Sequence, residues 1–143
     1  MEGIIMDTKV DMRETKVGVE VEDGIQFSGC QCPKKIFTDY ETKFLLDDIV
    51  DKSGLTRLVS VLNLYPGKGS GFVYLCGLAE SHLVVATWPE FSGARIDLSA
   101  CNLNKNNRPK VEFVIGRLRK LFRPTEERIP ETDLVTGRRY WTW

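Results

Sequence analysis

The chain has 143 residues and a mass of 16.3 kDa, enough for one domain with a real hydrophobic core. Apolar residues make up 42% and charged residues 28%, and 20 basic side chains balance 20 acidic ones, so nothing general points to nucleic acid or a membrane as partner. No apolar run approaches the length of a bilayer span, and the opening MEGIIMDTKVD lacks a basic region leading into an apolar stretch, so a cytoplasmic protein is expected.

Residues 1–15 are polar and irregular and read as a loose tail before a single domain over 16–143. Val17 to Phe27 alternates in part and predicts one or two short strands, interrupted at Asp23-Gly24. Gly29 to Pro33 is a cluster of breakers. Thr38 or Asp39 can then cap a helix running to about Lys52, with Phe44, Leu45, Ile49 and Val50 as its apolar stripe. Gly54 stands where a helix end favours positive φ.

Leu55 to Leu64 predicts a strand, and the turn Pro66-Gly67-Lys68-Gly69-Ser70-Gly71 leads to further strands over Phe72–Ala79 and His82–Thr87. Trp88-Pro89 ends the last of these, because proline has no amide donor for the ladder. Ala94 to Ala100 alternates cleanly, with Ala94, Ile96, Leu98 and Ala100 on one side and Arg95, Asp97 and Ser99 on the other. Pro109 opens a second long helix whose buried face is Val111, Val114, Ile115, Leu118, Leu121 and Phe122. The ending Tyr140-Trp141-Thr142-Trp143 is aromatic enough that packing on the domain or a second subunit is expected. The order predicts an α+β two-layer sandwich: one mainly antiparallel sheet with two helices on one face.

Several chemistries are disfavoured by spacing. The turn PGKGSG lacks the Gly-Lys-Ser/Thr that follows a four-residue gap in a phosphate loop, and it joins strand to strand. The basic side of the last helix, Lys110, Arg117, Arg119, Lys120 and Arg123, is the solvated half of an amphipathic helix. Cys30-x-Cys32 has no second close pair, and the one histidine, His82, is remote in sequence from it, so neither a metal site nor a disulfide framework is expected.

The segment Ala79-Glu80-Ser81-His82-Leu83-Val84-Val85-Ala86-Thr87-Trp88-Pro89-Glu90 is different. It is similar to the Glu-Ser-His-x-x-x-His-Thr-Trp-Pro-Glu signature of bacterial and archaeal S-adenosylmethionine decarboxylases. Downstream, Ile96-Asp97-Leu98-Ser99-Ala100-Cys101 resembles that family's Ile-Asp-x-x-x-Cys strand. Gly29-Cys30, Phe44-Leu45 and Ser53-Gly54-Leu55-Thr56 match a weaker N-terminal pattern, so the resemblance spans about residues 17–122 and is specific over 79–101.

The resemblance implies a self-cleaving, pyruvoyl-dependent decarboxylase. The Ser81 hydroxyl would attack the carbonyl of Glu80, turn the amide into an ester, and leave by β-elimination, so that a pyruvoyl cofactor replaces Ser81. Such a ketone forms a Schiff base with an amino-acid-like substrate and accepts electrons as carbon dioxide departs. Cys101 would quench the carbanion, and Ser70 would assist processing. Glu90 would hold the ribose hydroxyls, Leu64 and Tyr65 would lie at the adenine, and His82 would sit by the substrate next to the scissile bond. The resemblance also implies a homodimer with both protomers forming the site, and a role in spermidine synthesis.

The match is incomplete. Ala86 occupies the place of the second motif histidine and cannot transfer a proton. His82 lies about 13 Å from Ala86 along an extended strand and does not simply replace that histidine. Leu64 stands where the family has an aromatic residue that stacks on adenine. Ser70 to Ser81 is three residues longer than the family spacing, which displaces Ser70 or puts a bulge in the strand. Three functions stay open: a decarboxylase of S-adenosylmethionine, a pyruvoyl decarboxylase of another amino acid such as arginine or ornithine, and an uncut, non-catalytic binding or regulatory homologue.

Overall fold

The computed structural model describes residues 20–101, 105–129, 131–132 and 139–140. Its strands are β1 (Glu20–Ser28), β2 (Arg57–Leu64), β3 (Phe72–Leu78), β4 (Ser81–Trp88), β5 (Gly93–Cys101) and β6 (Glu126–Arg128), with the short pair β7 (Glu131–Thr132) and β8 (Arg139–Tyr140). The helices are α1 (Lys34–Thr38), α2 (Thr42–Ser53) and α3 (Arg108–Phe122). Six strands form one sheet in the order β2-β3-β4-β5-β1-β6, and every pairing in it is antiparallel. β7 and β8 pair separately.

The period-2 pattern decides which face is covered. Phe72 and Tyr74 of β3, Leu83 and Val85 of β4, Ile96 and Leu98 of β5, and Ile25 and Phe27 of β1 are buried in one core. Leu46 and Val50 of α2 and Val114, Leu118 and Phe122 of α3 close that core from the helical side. Each such side chain contributes roughly 1.5–3 kcal/mol by leaving water. On the opposite sheet face Val59, Val61 and Leu75, toward the β2–β3 edge, are 58%, 42% and 44% exposed, whereas Gln26, Ala86 and Ser99 further across are buried.

The expected α+β sandwich is present, with differences at the element ends and on the first long helix, where Phe44 and Leu45 of the expected apolar stripe are 60% and 46% exposed and Leu46 is buried with Ile49 and Val50 instead. A third, short helix, α1, precedes the first long one. Neither Thr38 nor Asp39 caps that long helix: α2 starts at Thr42 after Glu41, and Asp39 closes α1 instead. Glycine at 24 does not split β1, because Gly24 stays in ladder register with Asp97. Gly54 does end α2, at φ 90°. Pro109 lies in the first turn of α3, whose N-cap is Asn107. The expected tail over 1–15 and the side chains of the aromatic C-terminus lie outside the described residues. Among the described residues no helix is long and apolar enough to cross a membrane.

Candidate active site

Two residues, Ala79 and Glu80, connect β3 to β4. Their position is fixed from both sides. On the β2 side, the Ala79 N–H donates to the Thr56 carbonyl at 2.9 Å. The Glu80 carboxylate accepts from the Thr56 N–H at 2.9 Å and from its hydroxyl at 3.0 Å. Partial burial pulls the Glu80 carboxyl upward, but these two donors outweigh it and hold it below its ordinary value. On the β5 side, the Cys101 N–H donates to the Glu80 carbonyl oxygen at 2.8 Å. The Glu80–Ser81 peptide is thus clamped through the carboxylate and through its own carbonyl.

Ser81 opens β4 and pairs with Ala100, which leaves Cys101 one residue further, opposite Glu80. Ser81 Oγ lies 3.2 Å from His82 Nδ1. His82 Nε2 lies 3.9 Å from Asp97 Oδ2. His82 pairs with Ser99, and Asp97 is its diagonal neighbour on the same sheet face, within reach of a long side chain. Cys101 is half-buried with a free thiol. Its carbonyl accepts from Asn107 Nδ2 at 2.6 Å, so the N-cap residue of α3 holds the end of β5. Glu80, Ser81, His82 and Cys101 are therefore brought together.

The other expected site residues are not at this end. Leu64 pairs with Phe72, and Trp88 pairs with Gly93, at the far end of the sheet. Seven residue steps along β4 separate Trp88 from Ser81, about 23 Å at strand rise. Tyr65 is anchored there by its N–H to the Gly71 carbonyl at 2.8 Å, and its ring lies 6.3 Å from that of Trp88. The Arg95 guanidinium covers the other ring of that pair, 5.0 Å from the Trp88 centroid. Glu90 sits in the 3-10 turn Pro89–Phe91 and is exposed.

Ser70 is also at the far end, donating its hydroxyl to the Pro66 carbonyl at 2.9 Å. The extra length between Ser70 and Ser81 makes no bulge, since β3 and β4 stay in register from Val73 to Gly77. Three residues past Ser70 is Val73, whose ladder partner is Ala86. The register shift in this region falls on the other side of β3, between Arg57 and Val59 of β2. Thr87, from the same motif, is structural: its fully buried hydroxyl donates to Phe37 O at 2.8 Å and accepts from the Phe72 N–H at 3.0 Å.

Thr56, Asp97 and Asn107 are the contacts that sequence reasoning missed. The strand alternation had set Asp97 on the polar side of β5, but only the register shows it diagonal to His82. Behind Thr56, Asp47 of α2 is 7% exposed and accepts from Tyr74 Oη at 2.7 Å and Lys43 Nζ at 2.8 Å. Arg57 reaches Asp47 at 3.6 Å and grips Asp51 with two hydrogen bonds of 2.8 Å. Among the described residues no three His, Cys, Asp or Glu side chains are grouped to hold a metal.

The fold is thus an antiparallel sandwich in which the Glu80–Ser81 peptide is clamped beside Cys101. Residues 25–133 match the sequence profile of S-adenosylmethionine decarboxylase, and the chain belongs to that family. It is similar to the S-adenosylmethionine decarboxylase proenzyme of Archaeoglobus fulgidus, 30% identical over 84 residues, covering 59% of this chain and 70% of that one. The proenzyme of a Sulfurihydrogenibium species is 30% identical over 95 residues, 66% of this chain and 68% of that one. The fold matches the crystal structure of the adenosylmethionine decarboxylase from Aquifex aeolicus with a TM-score of 0.62 at 19% identity, over 86% of this chain and 98% of that chain.

Proposed function

We propose that this protein is a pyruvoyl-dependent decarboxylase of S-adenosylmethionine that cuts itself between Glu80 and Ser81 and supplies its product for spermidine synthesis. The observation that carries this reading is the Cys101 N–H held 2.8 Å from the Glu80 carbonyl oxygen, next to the Ser81 hydroxyl. When Ser81 Oγ adds to that carbonyl carbon, negative charge grows on the oxygen, and a backbone donor already aimed at it stabilises the charge without reorganising. The Glu80–Ser81 C–N bond breaks as the serine nitrogen gains a proton, leaving an ester. Loss of the Ser81 α-proton expels the Glu80 carboxylate, and hydrolysis of the resulting enamine releases ammonia.

The residues around Ser81 suit the cofactor that this route makes: the Glu80 carbonyl is held by the Cys101 N–H, and Cys101, with a free thiol, ends the strand paired with Ser81. The pyruvoyl group supplies an electrophilic ketone that takes the substrate amine and draws off the electrons left by carbon dioxide. Cys101 delivers the proton to the substrate carbon. At the other end of the sheet, Glu90 accepts from ribose hydroxyls, while Tyr65, Leu64 and Trp88 give the adenine an apolar and aromatic surface.

One protomer cannot offer both ends to one substrate across about 23 Å. Two copies packed through the exposed part of the sheet face away from the helices, strands reversed, would set the Trp88 end of one beside the Ser81 end of the other. The exposed Val59, Val61 and Leu75 on that face suit such a homodimer.

Intact mass and denaturing electrophoresis test the proposal. Two fragments meeting between Glu80 and Ser81, the second blocked at its N-terminus, are expected, with Ser81→Ala remaining whole. Release of carbon dioxide from S-adenosylmethionine, and not from arginine or ornithine, is expected; the reverse selectivity would assign the protein to another amino acid. A second reading is favoured by the Val73–Ala86 pair, two apolar side chains near the position of the missing motif histidine. On that reading the chain stays whole as a binding or regulatory homologue, and a single 16.3 kDa species without a trappable carbonyl supports it.

A further inference from the structure

We infer that His82, oriented by Asp97, is the base that takes the Ser81 hydroxyl proton during self-cleavage; this rests on the proposed processing at Glu80-Ser81. The family position for a processing histidine is Ala86, five strand steps or roughly 16 Å from Ser81. His82 is the one histidine of the whole sequence, and it stands at the hydroxyl itself: Nδ1 is 3.2 Å from Ser81 Oγ. Its opposite nitrogen, Nε2, is 3.9 Å from an Asp97 carboxylate oxygen.

The two contacts use the two sides of one ring. With its proton on Nε2, toward Asp97, the neutral imidazole offers the Nδ1 lone pair to the serine hydroxyl. Attack of Oγ on the Glu80 carbonyl carbon passes the hydroxyl proton to Nδ1, and the imidazolium that forms is paired with the Asp97 carboxylate. When the Glu80–Ser81 C–N bond breaks, Nδ1 returns that proton to the departing Ser81 nitrogen. The imidazole ends neutral, and no outside acid or base is consumed.

The neighbours allow this. Across the ladder His82 faces Gly77 of β3, which has no side chain to crowd the ring, and Ser99 of β5. Of its diagonal neighbours on β5, Asp97 carries the carboxylate and Cys101 lends its backbone N–H to the Glu80 carbonyl. Base, nucleophile and oxyanion donor thus surround one peptide bond, and Asp97 is a positioning residue acting through the ring.

The test is the rate at which freshly made full-length chain is converted to two fragments. His82→Ala and His82→Gln should both slow conversion by roughly 100-fold, the usual contribution of a positioned base. Added imidazole should restore much of the His82→Ala rate, a rescue that a purely structural histidine would not show. Asp97→Asn should slow conversion and Asp97→Glu should regain it. Melting temperatures like that of the wild-type chain separate these losses from misfolding. Wild-type cleavage with an unchanged His82→Ala rate overturns this inference and leaves the proposed function standing. Slow cleavage in a stably folded His82→Ala chain that imidazole does not rescue also overturns it. A wild-type chain that never cleaves overturns both together.

Discussion

Asp47→Ala removes the carboxylate that ties α2 to the sheet, and its cost follows from what it leaves behind. Tyr74 is fully buried, so its hydroxyl, now 2.7 Å from Asp47, would lose its acceptor in a place water does not reach. A buried hydrogen bond to a charged group is worth about 2 kcal/mol, and the half-screened Lys43 pair adds about 1 kcal/mol. A chain of 143 residues has an unfolding entropy near 0.3 kcal/mol/K, so about 3 kcal/mol lowers Tm by about 10 °C. Burial alone would push the Asp47 carboxyl up, but the bonds from Lys43 and Tyr74 outweigh it and hold it below the ordinary carboxylate range. The stabilisation it gives is therefore complete above the unfolded-chain value of about 4 and is lost as pH falls through the folded value. Scanning calorimetry at a series of pH values should show a wide gap between wild type and Asp47→Ala at neutral pH that closes in acid. Tyr74→Phe should cost less, and the double variant should be more stable than the sum of the two, because no orphaned hydroxyl remains. Strict additivity, or a gap unchanged in acid, would refute the account.

The other predictions concern the turn proposed to be cut and the sheet ends. Thr56→Val removes one of two donors to the Glu80 carboxylate and, by loosening the peptide, should slow self-cleavage several-fold in a gel time course while leaving Tm within a few degrees. Cys101→Ser should cleave at a near wild-type rate, since the backbone N–H does that work, but should lose most carbon dioxide release. Gly71→Ala should lower Tm by several degrees, because a Cβ there would lie 2.1 Å from the Thr87 carbonyl oxygen, a backbone atom that cannot swing aside.

Local pattern carried much of this structure into the sequence. The alternation of Ala94, Ile96, Leu98 and Ala100 predicts the buried side of β5, and the helical spacing of Val111 to Phe122 predicts the buried side of α3; both are as expected except at Leu121, which is only partly buried. What failed was local competition. Residues 34–41 hold a short helix and a turn where one cap was expected, since Thr38 donates back to Lys34 O at 3.4 Å instead of capping the next helix. The Glu80-Ser81 pair stood out in the sequence because the chemistry proposed for it needs adjacent residues. The clamp by Thr56 did not, because that contact spans 24 positions and depends on where β2 begins. The same limit hid the split of the motif itself. A single run from Glu80 to Glu90 reads as one site, yet laid out as a strand it puts the serine and the glutamate at opposite ends of the sheet.

That split predicts different concentration dependences for the two reactions. On the proposed mechanism every group that breaks the Glu80–Ser81 bond lies at one end of one chain: Ser81, His82 and Asp97, the Cys101 N–H, and Thr56 holding the Glu80 carboxylate. Cleavage should therefore be first-order and keep the same half-time when the new chain is diluted below the concentration at which it dimerises. Decarboxylation as proposed also needs the Tyr65, Trp88 and Glu90 end, which a single chain holds about 23 Å away. Its specific rate should fall on dilution as dimers separate, in step with the dimer fraction seen by sedimentation. Mixing cleaved Cys101→Ala chains, inert at one end, with cleaved Glu90→Ala chains, inert at the other, should restore part of the activity, because half of the sites in a mixed dimer draw both intact ends. No restoration in a mixture that demonstrably exchanges partners would place the whole substrate site within one protomer, and the strand register from Ser81 to Trp88 would then have to be wrong.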